Sequence, residues 1–365
     1  MWGDISIAFL LAFITAFVIT PYTIRIANKV GAVDFPEKRR INDKPIPRLG
    51  GLAVIAGFLL SCTYLLIVMS LEGTINLFGE ERYFYKLIGV LIGILILAIF
   101  CLFDDVKGIP AIVKLLGQTI AAVIVVSFGT KIDNINIPFL EQTLHINNSI
   151  YIYIISVGWI VGITNAINLI DGLDGLSSGI TLISCFSLII VFTMNQSPIM
   201  AVILITALAG AIVGFLPFNF NPAKTFIGDT GAQFLGFALA IISMLGTAKT
   251  YTLLVLIAPL IILALPIADT LFAIVRRIIK GKSIKAIFSP DTGHLHHKLM
   301  QKGYTQKQAV LILYGISACL GMFAIVLIES GIWKAISFAL MITAISTIGY
   351  KDFFEKKSKS DKRSK

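Results

Sequence analysis

The chain has 365 residues, of which 57% are apolar and only 14% are charged. A soluble globular domain is roughly half apolar and a quarter charged, so this composition excludes one. The net charge of +10 lies in short islands between long apolar runs, which indicates a bilayer rather than nucleic acid as the partner. All four cysteines lie inside apolar runs without a CxxC pair, so we interpret them as small buried side chains and not as a disulfide framework.

The apolar runs predict the fold class. About 20 mostly apolar residues suffice for a helix to cross the hydrocarbon core of a bilayer. Eleven such runs predict an all-α polytopic membrane protein with about eleven transmembrane helices, at 4–24, 50–70, 86–103, 111–129, 150–168, 176–194, 199–216, 231–247, 252–275, 308–328 and 332–349. The runs do not alternate in polarity, which argues against a closed barrel. We predict one integral membrane domain, 1–350, and a basic, disordered tail, 351–365.

The distribution of positive charge predicts the orientation. Asp4 precedes the first apolar run, whereas Arg25 and Lys29 follow it, so we expect an uncleaved first span with its amino terminus outside. With that orientation, 25 Lys and Arg residues fall in cytoplasmic segments and five in outer segments. This split is typical of the positive-inside rule and places the carboxyl terminus in the cytoplasm.

Polar residues gather at the ends of several spans that share the predicted inner face. Asp104 and Asp105 end the third span, and the segment 165–175 joins the fifth and sixth. The segment 226–231 precedes the eighth span, and 294–297, with three histidines, lies in the basic loop after the ninth. Because ionisable groups beside a membrane are energetically costly, such clusters indicate function.

These residue types suit phosphate chemistry with a hard cation. Magnesium takes one or two protein carboxylates and leaves its other positions to phosphate and water. The glycines of the motifs permit close backbone approach or positive φ, at positions 172, 175, 228 and 231. Basic side chains that could neutralise phosphate charge are Arg48, Lys114, Lys224, Arg276 and Arg277. Together they predict metal-assisted phosphoryl transfer at the inner membrane surface.

Each motif alone also has a purely structural interpretation. The aspartate pair could be a solvated helix end, and 165–175 a turn rich in Asn, Asp and Gly. Asp229 could be the N-cap of the eighth helix, and Asp269 could pair with Arg276 or Arg277. The histidines could form a zinc site or a pH-sensitive patch. The convergence of all these motifs on one membrane face favours the functional interpretation.

The ordered motifs resemble those of the polyprenyl-phosphate N-acetylhexosamine-1-phosphate transferases, glycosyltransferase family 4. They are PRLGG at 47–51, FDD at 103–105, NxxNLIDGLDGL at 165–176, FIGDTG at 226–231 and HLHH at 294–297. The resemblance implies transfer of GlcNAc-1-phosphate from UDP-GlcNAc to undecaprenyl phosphate, which yields undecaprenyl-diphospho-GlcNAc and UMP. It also implies Mg²⁺, for which Mn²⁺ can substitute, and a bacterial plasma membrane with the active site facing the cytoplasm.

Matched position by position, the resemblance implies a role for each motif residue. Asp104 and Asp105 match an acidic pair that acts on the lipid phosphate as base or nucleophile, and the one-step and phospho-enzyme routes both stay open. Asp229, together with Asp171, is expected to bind magnesium. The residues expected to bind the nucleotide sugar or its phosphates are Arg48, Lys114, Asn168, Asp174, Phe226, His294, His296 and His297. Of these, Phe226 would stack on uracil.

The variant motifs indicate a branch of the family. The PRLGG segment and the interruption of the histidines by Leu295 resemble the UDP-GlcNAc-using branch that initiates teichoic acid or O-antigen synthesis. The alternative within the family is the phospho-MurNAc-pentapeptide transferase of peptidoglycan synthesis. A multi-span transporter is the alternative from another class, although its sites usually lie at the midplane between repeats. Gly108 occupies the last position of a DDxxD pattern, so a third carboxylate is missing there. Members of this family are often dimers, and a homodimer stays open.

Overall fold

The structure is a computed structural model that describes residues 2–36, 44–73, 83–132, 134–137, 142–145, 148–247, 253–281 and 293–343. In these ranges the helices are α1 Trp2–Val30, α2 Gly51–Leu71, α3 Tyr83–Lys107, α4 Ala111–Ser127, α5 Ser149–Ile170, α6 Leu176–Met194, α7 Ile199–Asn219, α8 Gly228–Thr247, α9 Leu253–Ile262, α10 Ala264–Gly281, α11 Leu295–Gln301, α12 Gln306–Ser330 and α13 Ile332–Thr343. Two antiparallel strand pairs join them: β1 Val33–Asp34 with β2 Ile46–Pro47, and β3 Asn134–Ile137 with β4 Gln142–His145.

The predicted all-α polytopic fold is confirmed. Eight helices in the described residues are long and apolar enough to cross a membrane: α1, α2, α3, α5, α6, α7, α8 and α12. Two more predicted spans are shorter apolar helices, α4 and α13. The number eleven, the orientation of the termini and the single domain 1–350 stay predictions, and the predicted tail 351–365 lies outside the described residues.

The predicted ninth span, 252–275, is wrong as a single helix. The chain forms α9 and α10 instead, separated at Leu263. Pro266 has no backbone N–H and therefore cannot donate to the carbonyl of Ile262, which interrupts the hydrogen-bond ladder at this point. Helix α10 packs against α5 and α12.

Two nearly fully buried helices, α7 and α8, form the centre of the bundle. Helix α7 packs against α1, α2, α6 and α8, and α8 also packs against α3 and α5. On α7, Gly210 and Gly214 face the backbone carbonyls of Phe9 and Phe13 in α1, so closely that a Cβ atom would overlap them. Small residues at such crossings let membrane helices approach at backbone distance.

The polar motifs meet at one end of this bundle. Hydrogen bonds join the end of α3 to the start of α8, the start of α4 to the start of α8, and the α5–α6 turn to the α7–α8 loop. The β1–β2 pair brings the start of α2 to the same end, where Gly50 and Gly51 donate to the carbonyls of Phe226 and Ile227. Four stretches of chain that are distant in sequence, around the starts of α2, α4, α6 and α8, thus share one polar end.

Candidate active site

Asp105 caps the amino terminus of α8. Its carboxylate accepts hydrogen bonds from the backbone N–H groups of Asp229 and Thr230, both at 2.9 Å, and from the Thr230 hydroxyl at 2.6 Å. The first N–H groups of a helix have no partner within the helix, and a buried helix end needs one. The Asp105 side chain is only 1% exposed. The cap therefore connects the end of α3 to the start of α8. The structural interpretation of the sequence had expected Asp229, not Asp105, to be the N-cap of this helix.

Lys114 forms ion pairs with two carboxylates of the polar end, those of Asp104 and Asp229. Its Nζ forms an ion pair with Asp104 and lies 3.0 Å from Oδ2 of Asp229. The second oxygen of Asp104 accepts the backbone N–H of Ile109 at 2.8 Å. Asp104 is buried, whereas the side chain of Asp229 is 29% exposed. Lys114 of α4 thus neutralises the buried Asp104 and holds the partly exposed Asp229 beside it.

Arg48 lies beside Asp105, on the segment before α2. Its Nε donates to the backbone carbonyl of Asp105 at 2.9 Å and lies 4.0 Å from Oδ1 of the same residue. Its Nη1 lies 3.9 Å from Oδ1 of Asp34. The Arg48 side chain is partly exposed. It therefore adds positive charge at the rim of the acidic cluster.

Glycine is required at Gly228, where the chain enters α8. The residue has φ +71°, and a Cβ atom would also meet the carbonyl of Arg48 and the carboxylate of Asp105. Gly51 and Gly231 likewise approach each other at backbone distance. Gly228 thus has the positive φ that the sequence analysis gave as one of two uses of the motif glycines, and Gly231 approaches a protein neighbour.

The α5–α6 turn carries two carboxylates in different surroundings. Asp171 accepts a hydrogen bond of 2.6 Å from the Ser177 hydroxyl. Asp174 accepts from the side chain of Asn221 at 2.8 Å and from the backbone of Ala223 at 3.0 Å. The same Asn221 amide donates to Gln306 at 2.9 Å. Asn221 of the α7–α8 loop therefore joins the α5–α6 turn to α12.

Burial raises the pKa of Asp171 to about 7. The hydrogen bond from Ser177 opposes this shift, and the nearby carboxylates of Asp229, Asp105 and Asp174 add to it. Near neutral pH the group is therefore poised between its protonated and ionised forms. A cation placed beside it would favour the ionised form.

The histidine segment 294–297 stacks against this turn. The His294 and His296 rings lie parallel within 8°, with centroids 5.8 Å apart, and the His296 and His297 centroids are 4.2 Å apart. His296 is 2% exposed, and its ring lies where a Cβ of Gly172 would be. Burial lowers the pKa of His296 to about 4, with His297 and His294 adding to the shift, so the ring is neutral at pH 7.

These elements enclose a cavity of about 350 Å³. Seven predicted site residues line it: Arg48, Asp105, Asp171, Asp174, Phe226, Asp229 and His297. Five others are not among its lining residues: Asp104, Lys114, Asn168, His294 and His296. Asp104 and Lys114 connect to it through Asp229, and His294 and His296 connect to it through His297. Asn168 contributes its backbone carbonyl to the α5–α6 turn, where the N–H of Asp171 donates to it.

Several residues of this end were not assigned by the sequence analysis. Asp34, Asn219 and Gln306 also line the cavity. Beneath it, Asn165 donates to Gln118 at 2.6 Å, and Gln118 donates to Gln233 at 2.9 Å. A signal for the last pair was present, because Gln118 and Gln233 each lie four residues, one helical turn, after Lys114 and Asp229 in otherwise apolar runs.

The donor chemistry of the cavity fits a magnesium ion that is shared with phosphate. Asp171 and Asp229 both line it, from different elements. In the described ranges, no three His, Cys, Asp or Glu side chains form a ready-made metal cluster. Magnesium does not need one when phosphate oxygens and water complete its shell.

Comparison with known proteins identifies the family of this chain. The model of glycosyl transferase family 4 matches residues 87–247, which run from α3 to α8 and include Asp104, Asp105, Asp171 and Asp229. A Bacillus subtilis protein described as "Probable undecaprenyl-phosphate N-acetylglucosaminyl 1-phosphate transferase" is 39% identical over 332 residues, which cover 91% of this chain and 87% of the relative. The chain belongs to glycosyl transferase family 4. This confirms the resemblance found in the motifs.

Two further relatives are also similar to this chain. The decaprenyl-phosphate N-acetylglucosaminephosphotransferase of Mycolicibacterium smegmatis is 32% identical over 85% of this chain and 79% of its own length. The phospho-N-acetylmuramoyl-pentapeptide-transferase of Listeria monocytogenes is 35% identical, over 57% of this chain and 62% of its own length. The similarity to relatives named for N-acetylglucosamine thus extends over more of the chain.

Proposed function

We propose that this protein transfers GlcNAc-1-phosphate from UDP-GlcNAc to undecaprenyl phosphate, with undecaprenyl-diphospho-GlcNAc and UMP as products. The observation that carries the proposal is that Asp171, Asp229, Phe226, Arg48 and His297 line the same cavity. Carboxylates, a cation and an aromatic ring are the groups that a nucleotide sugar with two phosphates requires. The names of the relatives supply the substrate class.

In the proposed reaction, an oxygen of the lipid phosphate attacks the β-phosphorus of UDP-GlcNAc. A new P–O bond forms, and the bond from this phosphorus to the bridging oxygen breaks, so that UMP leaves with the bonding electron pair. With a dianionic lipid phosphate the charges balance without any proton transfer. The second pKa of a phosphate monoester is near 6, so much of the substrate is dianionic at pH 7.

This balance favours an orienting role for the acidic pair over proton abstraction. Both oxygens of Asp105 already accept hydrogen bonds from the first turn of α8. Asp104 is held by Lys114 and by the N–H of Ile109. We propose that the pair fixes Asp229 and Lys114 for phosphate binding. The phospho-enzyme route, in which one of these carboxylates attacks first, is the alternative.

Magnesium is the cofactor in this proposal, and Asp229 and Asp171 are the residues that would hold it. When bound, the ion neutralises phosphate charge and polarises the P–O bonds. Arg48 and Lys114 provide further positive charge from the protein itself. Phe226 provides an aromatic face for uracil, and His297 contacts the sugar or the diphosphate. Positioning and charge neutralisation account for most of the catalysis in phosphoryl transfer.

The lipid substrate would approach from the bilayer side of α3 and α4. Phe103 and Ile112 are 57% and 59% exposed, and they lie beside Asp104 and Lys114 in the chain. An exposed apolar surface beside buried charges suits a polyprenyl chain that ends in phosphate. We propose that this end of the bundle lies at the cytoplasmic face of a bacterial plasma membrane, with the amino terminus outside and the carboxyl terminus inside, as the excess of Lys and Arg in the predicted inner segments favours. The product would begin a cell-envelope polysaccharide such as teichoic acid.

Release of UMP by the purified protein tests the proposal. With undecaprenyl phosphate and Mg²⁺, we expect turnover with UDP-GlcNAc and much slower turnover with UDP-GalNAc and UDP-MurNAc-pentapeptide. Preferred turnover of UDP-MurNAc-pentapeptide would instead assign the chain to the peptidoglycan branch. No UMP release with any of the three would contradict the transferase proposal.

Replacement of Asp229 tests the charge arrangement. Asp229→Asn keeps the size of the side chain but removes the negative charge next to Lys114, so we expect kcat to fall more than about 100-fold, since metal binding contributes several kcal/mol to such reactions. The matched control is Glu329→Gln, an exposed carboxylate at the end of α12, for which we expect wild-type turnover. Full activity of Asp229→Asn would remove Asp229 from the mechanism.

Replacement of Phe226 tests the nucleotide end of the cavity. Stacking of a base on an aromatic side chain contributes about 1–3 kcal/mol, so Phe226→Ala should raise the KM for UDP-GlcNAc about tenfold and change kcat less. Phe186→Ala, which removes a phenyl ring from an exposed position on α6, serves as the control and should leave this KM unchanged. A fall in kcat without a change in KM would count against stacking.

A further inference from the structure

Asp269 holds the histidine segment with both oxygens of its carboxylate. Its Oδ2 lies 2.8 Å from Nδ1 of His294, and its Oδ1 accepts the backbone N–H of Leu295 at 2.9 Å. Asp269 lies in α10 and is 3% exposed, and His294 is 5% exposed. A single buried side chain of α10 thus binds two consecutive residues at the start of α11, although 25 residues separate it from His294. The structural interpretation of the sequence expected Arg276 or Arg277 as its partner.

The contact determines which ring nitrogen of His294 faces Asp269. An ionised carboxylate only accepts hydrogen bonds, so Nδ1 of His294 carries a proton. The bond to Leu295 also satisfies the first backbone donor of α11. Asp269 therefore sets both the orientation of the ring and the point at which α11 begins.

Contacts between histidine rings connect His294 to the cavity. The His294 ring lies parallel to that of His296, and the His296 ring lies against that of His297, which lines the cavity. His296 also packs against Gly172, another lining residue. Within the described residues, neither ring nitrogen of His296 has a hydrogen-bond partner, so packing alone holds this ring. A shift of His294 would therefore move the rings that follow it.

We infer that Asp269 is a positioning residue of the transferase reaction, which fixes segment 294–297 against the cavity through His294. This inference rests on the proposed function and adds to it a residue that contacts neither the cavity nor the proposed acidic pair. It differs from a purely structural role in one respect: Asp269 matters for turnover only as long as His294 is present.

A double-mutant cycle in the full-length protein tests this dependence. The assay is UMP release from UDP-GlcNAc with undecaprenyl phosphate and Mg²⁺, for the wild type, Asp269→Ala, His294→Ala and the double variant. We expect each single change to lower kcat about 10- to 100-fold, the range found for carboxylates that orient metal-binding histidines. The double variant should be no slower than the slower single variant, because the two residues act as one unit. The KM for UDP-GlcNAc should change less than kcat.

A neighbouring residue provides the control. Thr270 follows Asp269 on α10, is 9% exposed, and its hydroxyl has no hydrogen-bond partner among the described residues. Thr270→Val changes a buried polar group at the adjacent position, and we expect wild-type kcat and an unchanged melting temperature. Asp269→Asn is the second variant of Asp269, because its carbonyl can still accept the N–H of Leu295 while its charge is lost. It should also lower kcat, and a further His294→Ala change should not lower kcat again.

Three results would count against parts of this account. Multiplied losses in the double variants would show that Asp269 acts independently of His294 and would overturn the inference. Wild-type kcat in Asp269→Asn would overturn it as well, even if Asp269→Ala did not fold. A wild-type protein that releases no UMP from any nucleotide sugar would instead refute the proposed function, on which the inference rests.

Discussion

The site depends on one buried carboxylate at the junction of two helices. Asp105, at the end of α3, binds two backbone N–H groups and one hydroxyl of the first turn of α8. A buried charge is tolerated when hydrogen bonds compensate its desolvation, and the positive end of a helix dipole favours an anion. Because the same turn carries Asp229, the cap also determines where Asp229 faces. The two acids of the predicted pair thus have different surroundings: Asp105 binds α8, whereas Asp104 binds Lys114.

Two polar layers extend this junction into the bundle. Lys114 of α4 meets Asp229 of α8 in the upper layer, and one turn below, Gln118 of α4 meets Gln233 of α8, with Asn165 of α5 joining Gln118. Polar groups inside a membrane protein are costly unless they are paired, so these contacts fix how α4, α5 and α8 are arranged. Directional hydrogen bonds therefore hold the helices that carry Lys114 and Asp229, whereas Asp269 and ring packing hold the histidine segment whose His297 lines the cavity.

Much of this arrangement could be predicted from the sequence, and the rest depends on which partners meet. Long apolar runs predict membrane helices because the bilayer imposes their length, and the motifs around Asp104, Asp171 and Asp229 identify the family. The sequence could not identify the partners of Asp105 and Asp269, because each pairs with a residue far along the chain. The division of 252–275 into two helices had a local signal in Pro266, but proline is also tolerated inside membrane helices.

Amide hydrogen exchange at the first turn of α8 tests the central claim most directly. The N–H groups of Asp229 and Thr230 have no acceptor within their own helix and should exchange rapidly unless Asp105 binds them. We expect slow exchange at both residues in the wild type and in Asp104→Ala, and exchange at least about tenfold faster in Asp105→Ala, since a hydrogen bond to a charged group contributes about 1.5–3 kcal/mol. Equal exchange rates in the wild type and Asp105→Ala would contradict the account.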